Sequence, residues 1–355
     1  MFPILFSLAT LSALANALLT TDDSSKCSCY RTTSSESTQI FANHVSQDFR
    51  NLKTYINDGR VRPAPTTPLG ASTHESTNDY FESDEWTSLW SIQSWNNSYP
   101  NVSGGDPTLL MVNSRGNVYL ERDNDADLDK DGYNTHLSLR TARAQKFQSS
   151  AEIESIERNF QFLSMRMLAR TVGADGACTA MFTYLSDTQE ADIEFLTGGP
   201  RDVVQYTNQP GGSTGTVNAT LPVAMGEWAE HRLDWTDGRS EWFVNGEHLA
   251  TLEKYAPTDP AMVILNSWSN GGSWTGVMAV NASAVLQIQW LEIAYNVTGD
   301  AESNIKCDAM CDLDKSDTSD GNDDNDSAAI GRISSMGWAF WILAAQLVAA
   351  VVFGV

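Results

Sequence analysis

The sequence predicts an all-β protein, a sandwich of antiparallel sheets, on three observations. Helical periodicity is scarce. Short alternating segments bounded by Gly, Asn and Asp recur at even spacing: GNVYLER, FQFLSMRMLAR, ACTAMFTYL, ADIEFLT, DVVQYTN, HRLDWTD, MVILNSW and VLQIQWLEIAYN. One further segment, EWFVNGEHLATL, carries the Asn245-Gly246 pair of a tight hairpin turn. A chain of 355 residues is long enough for one large β domain or two ordinary ones.

In chain order, the apolar run MFPILFSLATLSALANALL has small residues at Ala13, Ala15 and Ala17. It reads as a secretory signal peptide over residues 1–17, cleaved after Ala15 or Ala17. Residues 18–40 form a segment containing Cys27 and Cys29, and the strand-rich domain spans 41–298. Within it, the Pro/Ser/Thr-rich piece at 61–80 reads as a long surface loop, because strand patterns continue on both sides. Asp127, Asp129, Asp131 and Gly132 resemble the first half of a calcium loop. Ser138 stands where a bidentate Glu belongs, so an acidic solvated loop is the reading, with a structural calcium ion as the minor alternative and no other cofactor.

An acidic Ser/Asp-rich linker follows at 299–327, with Cys307 and Cys311 at its start. The two cysteine pairs bracket the domain, so bridges joining Cys27 and Cys29 to Cys307 and Cys311 are expected in an oxidising compartment, with the connectivity open. Cys178, alone in an apolar strand, reads as a small buried hydrophobe. Residues 328–355 combine small residues, a spacer and an apolar tail, the pattern of a GPI-attachment signal, with Ser327 as the attachment residue. Six sequons, at Asn96, Asn101, Asn218, Asn281, Asn296 and Asn325, agree with secretion and a cell-surface location. A net charge of −23 argues against nucleic acid and anionic membrane surfaces as partners, and leaves a neutral ligand open.

The chemistry is concentrated in TQEADIEFLTG. On a strand, Glu190, Asp192 and Glu194 share one face, while Ala191, Ile193 and Phe195 share the other. Three like charges in a row are costly on a plain solvated face, so the acids point into something. Two long Glu side chains leaning together across a short central Asp bring two carboxyls toward the ~5–5.5 Å separation of a retaining glycosidase. Coupling between them raises the proton affinity of one, as a general acid requires.

The run EADIEFLTG resembles the active-site strand of glycoside hydrolase family 16, whose signature is Glu-x-Asp-x-Glu. The similarity extends over roughly residues 105–297, through EHRLDWTDGRSEWFVNGEHL and ILNSWSNGGSWTG, and is closest to fungal wall-associated members. The resemblance implies a concanavalin A-like β-jelly roll with a glycan cleft across its concave sheet. It implies Glu190 as nucleophile, Glu194 as acid/base and Asp192 as the acid that orients the nucleophile. Asn266, Trp268 and Trp274 match family positions in or near the cleft, and His231 matches a recurrent position that is either a substrate-binding or a structural histidine. Gln205 and Asn208, on the next strand, are expected to reach sugar hydroxyls. The partner implied is β-1,3 or β-1,3-1,4 glucan of the cell wall, with chitin as a possible acceptor and the membrane reached through the anchor. The alternatives are a chitin–glucan transglycosylase and a non-catalytic lectin on the same fold. A pure binder has no need of two coupled Glu side chains, which counts against the lectin.

Overall fold

The computed structural model describes residues 18–19, 27–34, 37–56, 63–69, 75–101, 106–122, 135–300 and 305–314. The signal-peptide segment, the Asp127–Asp131 loop, Asn325, Ser327 and the apolar tail lie outside them.

The amino-terminal part holds β1 (Leu18–Leu19), β2 (Cys29–Thr33), β3 (Thr38–Phe41) and β4 (Asn43–Asp48). Next come β5 (Trp90–Ile92), β6 (Leu110–Asn113) and β7 (Val118–Arg122). The long central series is β8 (Thr135–Arg143), β9 (Phe147–Ser155), β10 (Phe160–Gly173), β11 (Cys178–Ser186), β12 (Gln189–Leu196), β13 (Val203–Asn208) and β14 (Thr216–Thr220). It continues as β15 (Ala229–Thr236), β16 (Arg239–Val244), β17 (Glu247–Leu252), β18 (Met262–Trp268), β19 (Ser283–Val297) and β20 (Met310–Asp312).

Two layers share one core. The first runs β14-β13-β12-β11-β18-β9, with β5 beside β9, and the second runs β8-β19-β10-β15-β16-β17. Ala191, Ile193 and Phe195 of β12 pack in the same buried cluster as Met165 and Met167 of β10 and Trp235 of β15. The alternation seen in the sequence therefore buries one face of each sheet, and the protein is a jelly-roll sandwich. The β16–β17 turn is made by Asn245 and Gly246 with φ of 51° and 80°, the left-handed pair that a tight hairpin demands.

The stretch expected to be a surface loop behaves as one only in part. Tyr80, Phe81 and Trp86, at and just beyond its end, are fully buried and pack edge-to-face on one another. Their burial anchors the approach to β5, and with it the segment that carries Trp95.

A small separate sheet, β1-β20-β2-β3, is stapled by disulfides Cys27–Cys311 and Cys29–Cys307. The carboxy-terminal segment docks there on buried charge. The Arg166 guanidinium, 1% exposed, donates to Leu313 O at 2.8 Å and to Asp314 Oδ1 at 2.7 Å. Arg232 reaches the same Asp314 oxygen at 3.0 Å. Burial alone would raise the Asp314 carboxyl, but the two guanidiniums outweigh it and hold its pKa below the usual carboxylate range.

One sequon is corrected here. Asn296 is 7% exposed, its Oδ1 accepts from Ala42 N at 2.8 Å, and its Nδ2 donates to Ile40 O at 3.3 Å. Both ends of the amide are spent inside the fold, so Asn296 is not an acceptor in the folded protein. Asn96, Asn101, Asn218 and Asn281 are exposed. Treating the purified protein with an endoglycosidase and mapping its peptides should find Asn296 unmodified; a glycan there would mean this strand forms after glycosylation and differently.

Candidate active site

The register across the first sheet builds a floor from the sequence upward. Glu194 on β12 lies opposite Ala180, Ala180 opposite Asn266, and Asn266 opposite Glu152 on β9. One row along, Asp192 lies opposite Phe182, Ile264 and Glu154 in turn; next to that, Glu190 lies opposite Tyr184 and Met262. These residues line a cleft of about 390 Å³, with Trp95 and Trp268 also in its wall. Among the described residues five carboxyls line it, Glu152, Glu154, Glu190, Asp192 and Glu194, and no Lys or Arg does. Among the described residues no group of three or more His, Cys, Asp or Glu is arranged to hold a metal ion.

The acid row sits in low dielectric. Burial is the leading cause that pushes Glu190 up to about 7, and Asp187 adds to it while a hydrogen bond from Asp192 opposes. Burial likewise carries Glu194 to about 7, reinforced by the Glu190 charge and opposed by hydrogen bonds from Cys178 and Gln205. Asp192, 2% exposed, is pushed well above the usual carboxylate range by burial and then by its two neighbours. The sequence suggests like-charge coupling as the source of the raised proton affinity; desolvation comes first, and coupling second.

Neighbouring side chains orient the row. Gln205 Nε2 donates to Glu194 Oε2 at 3.4 Å, and Gln209 Nε2 donates to Asp192 Oδ2 at 3.3 Å. Across the cleft, Trp95 Nε1 donates to Glu152 Oε1 at 2.7 Å. Glu152 is pushed up to about 7 by burial, against hydrogen bonds from Trp95 and Asn266. Arg158 holds Glu154 at 2.8 Å from the rim.

Of the residues expected at the site, Glu190, Asp192, Glu194, Asn266 and Trp268 line the cleft, and Gln205 braces Glu194. Trp274 is 41% exposed and stands near Cys178, beyond the end of the acid row, where it favours the ionised thiol. Its loop is tied down by Thr108 N to Asn270 O at 3.0 Å and by Ser273 N to Asp106 Oδ1 at 3.0 Å. Two residues are elsewhere. Asn208 is fully buried, and its Nδ2 donates to Leu252 O and Lys254 O, each at 3.2 Å, on the side away from the cleft. His231 sits on β15 in the other sheet, edge-on to Phe195 across the core, where burial lowers its pKa to about 4 and keeps it neutral. Neither can touch a ligand in the cleft.

Glu152, Glu154, Gln209 and Trp95 are site residues the sequence reading missed. The first two carried a usable signal: AEIES repeats, in shorter form, the alternation of acids and apolar residues in EADIEFL. Trp95 carried none, since its place depends on where the chain before β6 crosses the sheet.

The raised carboxyls have a thermodynamic consequence. Glu152, Glu190 and Glu194 each rise from an ordinary 4.5 to about 7 on folding. The folded state therefore holds protons more tightly, its stabilisation being complete below pH 4.5 and lost as pH rises through about 7. The glycan-free protein should melt higher at pH 5 than at pH 8, by the equivalent of about 1–3 kcal/mol. Glu152→Gln should raise the melting temperature at pH 8 and flatten the dependence; an unchanged slope would show that Glu152 is solvated.

Residues 114–292 match the family described as Glycosyl hydrolases family 16. A β-glucanase of Brevibacillus brevis is 29% identical over 115 residues, covering 29% of this chain and 44% of that protein. The aligned region thus spans less than half the length of that relative. Among solved structures, the Bacillus licheniformis β-glucanase superposes with a TM-score of 0.45 at 19% identity, over 59% of this chain and 94% of that one. The endo-β-1,3-glucanase of Pyrococcus furiosus gives 0.46 at 17%, over 59% and 89%. The Crh5 transglycosylase gives 0.40 at 17%, over 45% and 72%. With half of its residues matched by the family, and the Glu-x-Asp-x-Glu strand on the floor of its cleft, this chain belongs to Glycosyl hydrolases family 16.

Proposed function

We propose that this protein is a retaining glycosidase acting on a neutral β-glucan, β-1,3- or β-1,3-1,4-linked, with Glu190 as nucleophile and Glu194 as acid/base. The observation that carries the reading is the row Glu190, Asp192, Glu194, its central acid buried and the two glutamates half-buried, on the floor of an aromatic-walled cleft. A double displacement needs one carboxylate and one carboxylic acid at the same pH. Burial raises both glutamates, and the charge on Glu190 then favours the proton on Glu194. The pair titrates as a unit, so the assignment rests on position rather than on separate pKa values. Burial and the two flanking acids favour the proton on Asp192, and Asp192 in turn favours the ionised form of Glu190.

In the first step Glu190 attacks the anomeric carbon, the glycosidic bond breaks, and Glu194 gives its proton to the departing oxygen. In the second, Glu194 takes a proton from the acceptor hydroxyl as that oxygen displaces Glu190. Water as acceptor gives hydrolysis; a glycan hydroxyl gives transfer, to glucan or to chitin. Five lining carboxyls without a lining cation disfavour anionic polysaccharides, and the indoles of Trp95 and Trp268 suit the C–H faces of pyranose rings. The leader, the sequons and the tail support secretion and attachment to the cell surface by a GPI anchor at or near Ser327. Phosphatidylinositol-specific phospholipase C should then release the protein from membranes, and intact tail peptides on the mature protein would exclude the anchor.

The function is tested by product analysis on β-1,3-, mixed-linkage and xyloglucan oligosaccharides, with and without chitin oligomers as acceptors. Cleavage of at least one β-1,3-containing glucan is the expected result. Binding without turnover on the whole panel would make the protein a lectin.

A further inference from the structure

Cys178 does more than fill a gap in the core. It lies on the same face of β11 as Ala180, Phe182 and Tyr184, three residues of the cleft floor. Directly opposite Glu194 stands Ala180, whose methyl group leaves room for the glutamate to lean along the floor. Its Oε1 thereby comes within 3.9 Å of Cys178 Sγ, while its Oε2 faces Gln205 Nε2 at 3.4 Å on the other flank. Two donors on two different strands thus span one carboxyl. The thiol is fully buried and is the free cysteine of the chain. A second acceptor, Thr179 O, stands 3.8 Å from the same sulfur.

We infer that Cys178 is the positioning residue of Glu194: its S–H turns to Oε1 when that carboxyl is ionised and falls back on Thr179 O when the carboxyl is protonated. An ionised oxygen is the stronger acceptor, so the thiol hydrogen follows the acid/base through the two half-reactions without leaving the sulfur. Burial and the adjacent carboxylates hold the thiol pKa well above its ordinary value, so it acts as a donor and not as a thiolate. The titratable groups facing Glu194 among the described residues are Glu190 and Asp192 on its own strand and Cys178 on β11; Gln205 on β13 is uncharged.

The inference rests on Glu194 being the acid/base, and its test is chosen to fail separately. A donor to the ionised form lowers the proton affinity of Glu194. Cys178→Ala should therefore move the alkaline limb of the kcat/KM profile to higher pH, and lower kcat on an unactivated glucan about tenfold with KM nearly unchanged. Cys178→Ser, which restores a donor, should return the limb and most of the rate. Melting temperatures and glucan affinity of both variants establish that they are folded. Carbon-13 NMR titration of the Glu194 carboxyl reads the same shift without turnover, so it decides the matter even if no glucan of the panel is cleaved. A limb and a carboxyl titration equal in Cys178→Ala, Cys178→Ser and the parent would reduce Cys178 to packing.

Discussion

Glu190→Gln should abolish turnover of every β-glucoside, by at least about four orders of magnitude, while glucan binding survives. The amide cannot attack the anomeric carbon, so neither half-reaction has a route, and the acceptor chemistry is irrelevant. Glu194→Gln fails differently. Loss of the proton donor hurts substrates with poor leaving groups most, so an activated aryl glycoside still glycosylates Glu190. The glycosyl-enzyme then accumulates, because no base activates water, and azide should release it as a β-configured adduct. Intact mass and product NMR separate the two variants. Equal inactivation of both, with no azide rescue, would remove the division of roles between them.

The second large effect is on stability and lies far from the cleft. Arg166→Met removes the fully buried guanidinium that holds Leu313 O and Asp314 Oδ1, leaving the carboxylate to Arg232, the Thr32 hydroxyl and the Thr33 amide. Breaking such a buried pair should cost about 3 kcal/mol at neutral pH in a denaturant titration. Asp314 has its pKa lowered on folding, so its contribution is present above the ordinary 3.8 and is lost as pH falls below that value. The penalty of Arg166→Met should accordingly shrink toward acid pH. The disulfides Cys27–Cys311 and Cys29–Cys307 keep the segment tethered in the variant. A loss below about 1 kcal/mol at neutral pH would mean that the disulfides and the remaining Asp314 partners hold the carboxy-terminal segment without Arg166.

How much of this was legible beforehand follows from what a period of two can and cannot say. It placed Glu190, Asp192 and Glu194 on one face, and the buried Ala191, Ile193 and Phe195 on the other, because strand parity is local. The same parity, applied to β13, would have rejected Asn208. Gln205 and Thr207 share the cleft side, whereas Asn208, one residue on, turns the opposite way and caps Leu252 and Lys254 carbonyls. His231 was misplaced for a different reason: it belongs to the other sheet, and only the order of strands in space reveals that it meets Phe195 through the core. Trp95 reaches Glu152 over a sequence separation of 57 residues, a contact that no local pattern encodes. The burial of Asn296 has the same origin, since its partners Ile40 and Ala42 lie more than 250 residues away.

The direct test of the central claim is the anomeric configuration of the first product released from a β-1,3-containing glucan, followed by proton NMR before mutarotation. Attack by Glu190 and then by the acceptor inverts the anomeric carbon twice, so the β-anomeric signal must appear first and the α signal must grow in only as the free sugar equilibrates. If the α anomer appears first, the two carboxyls act on opposite sides of a single displacement, and Glu190 is not a nucleophile.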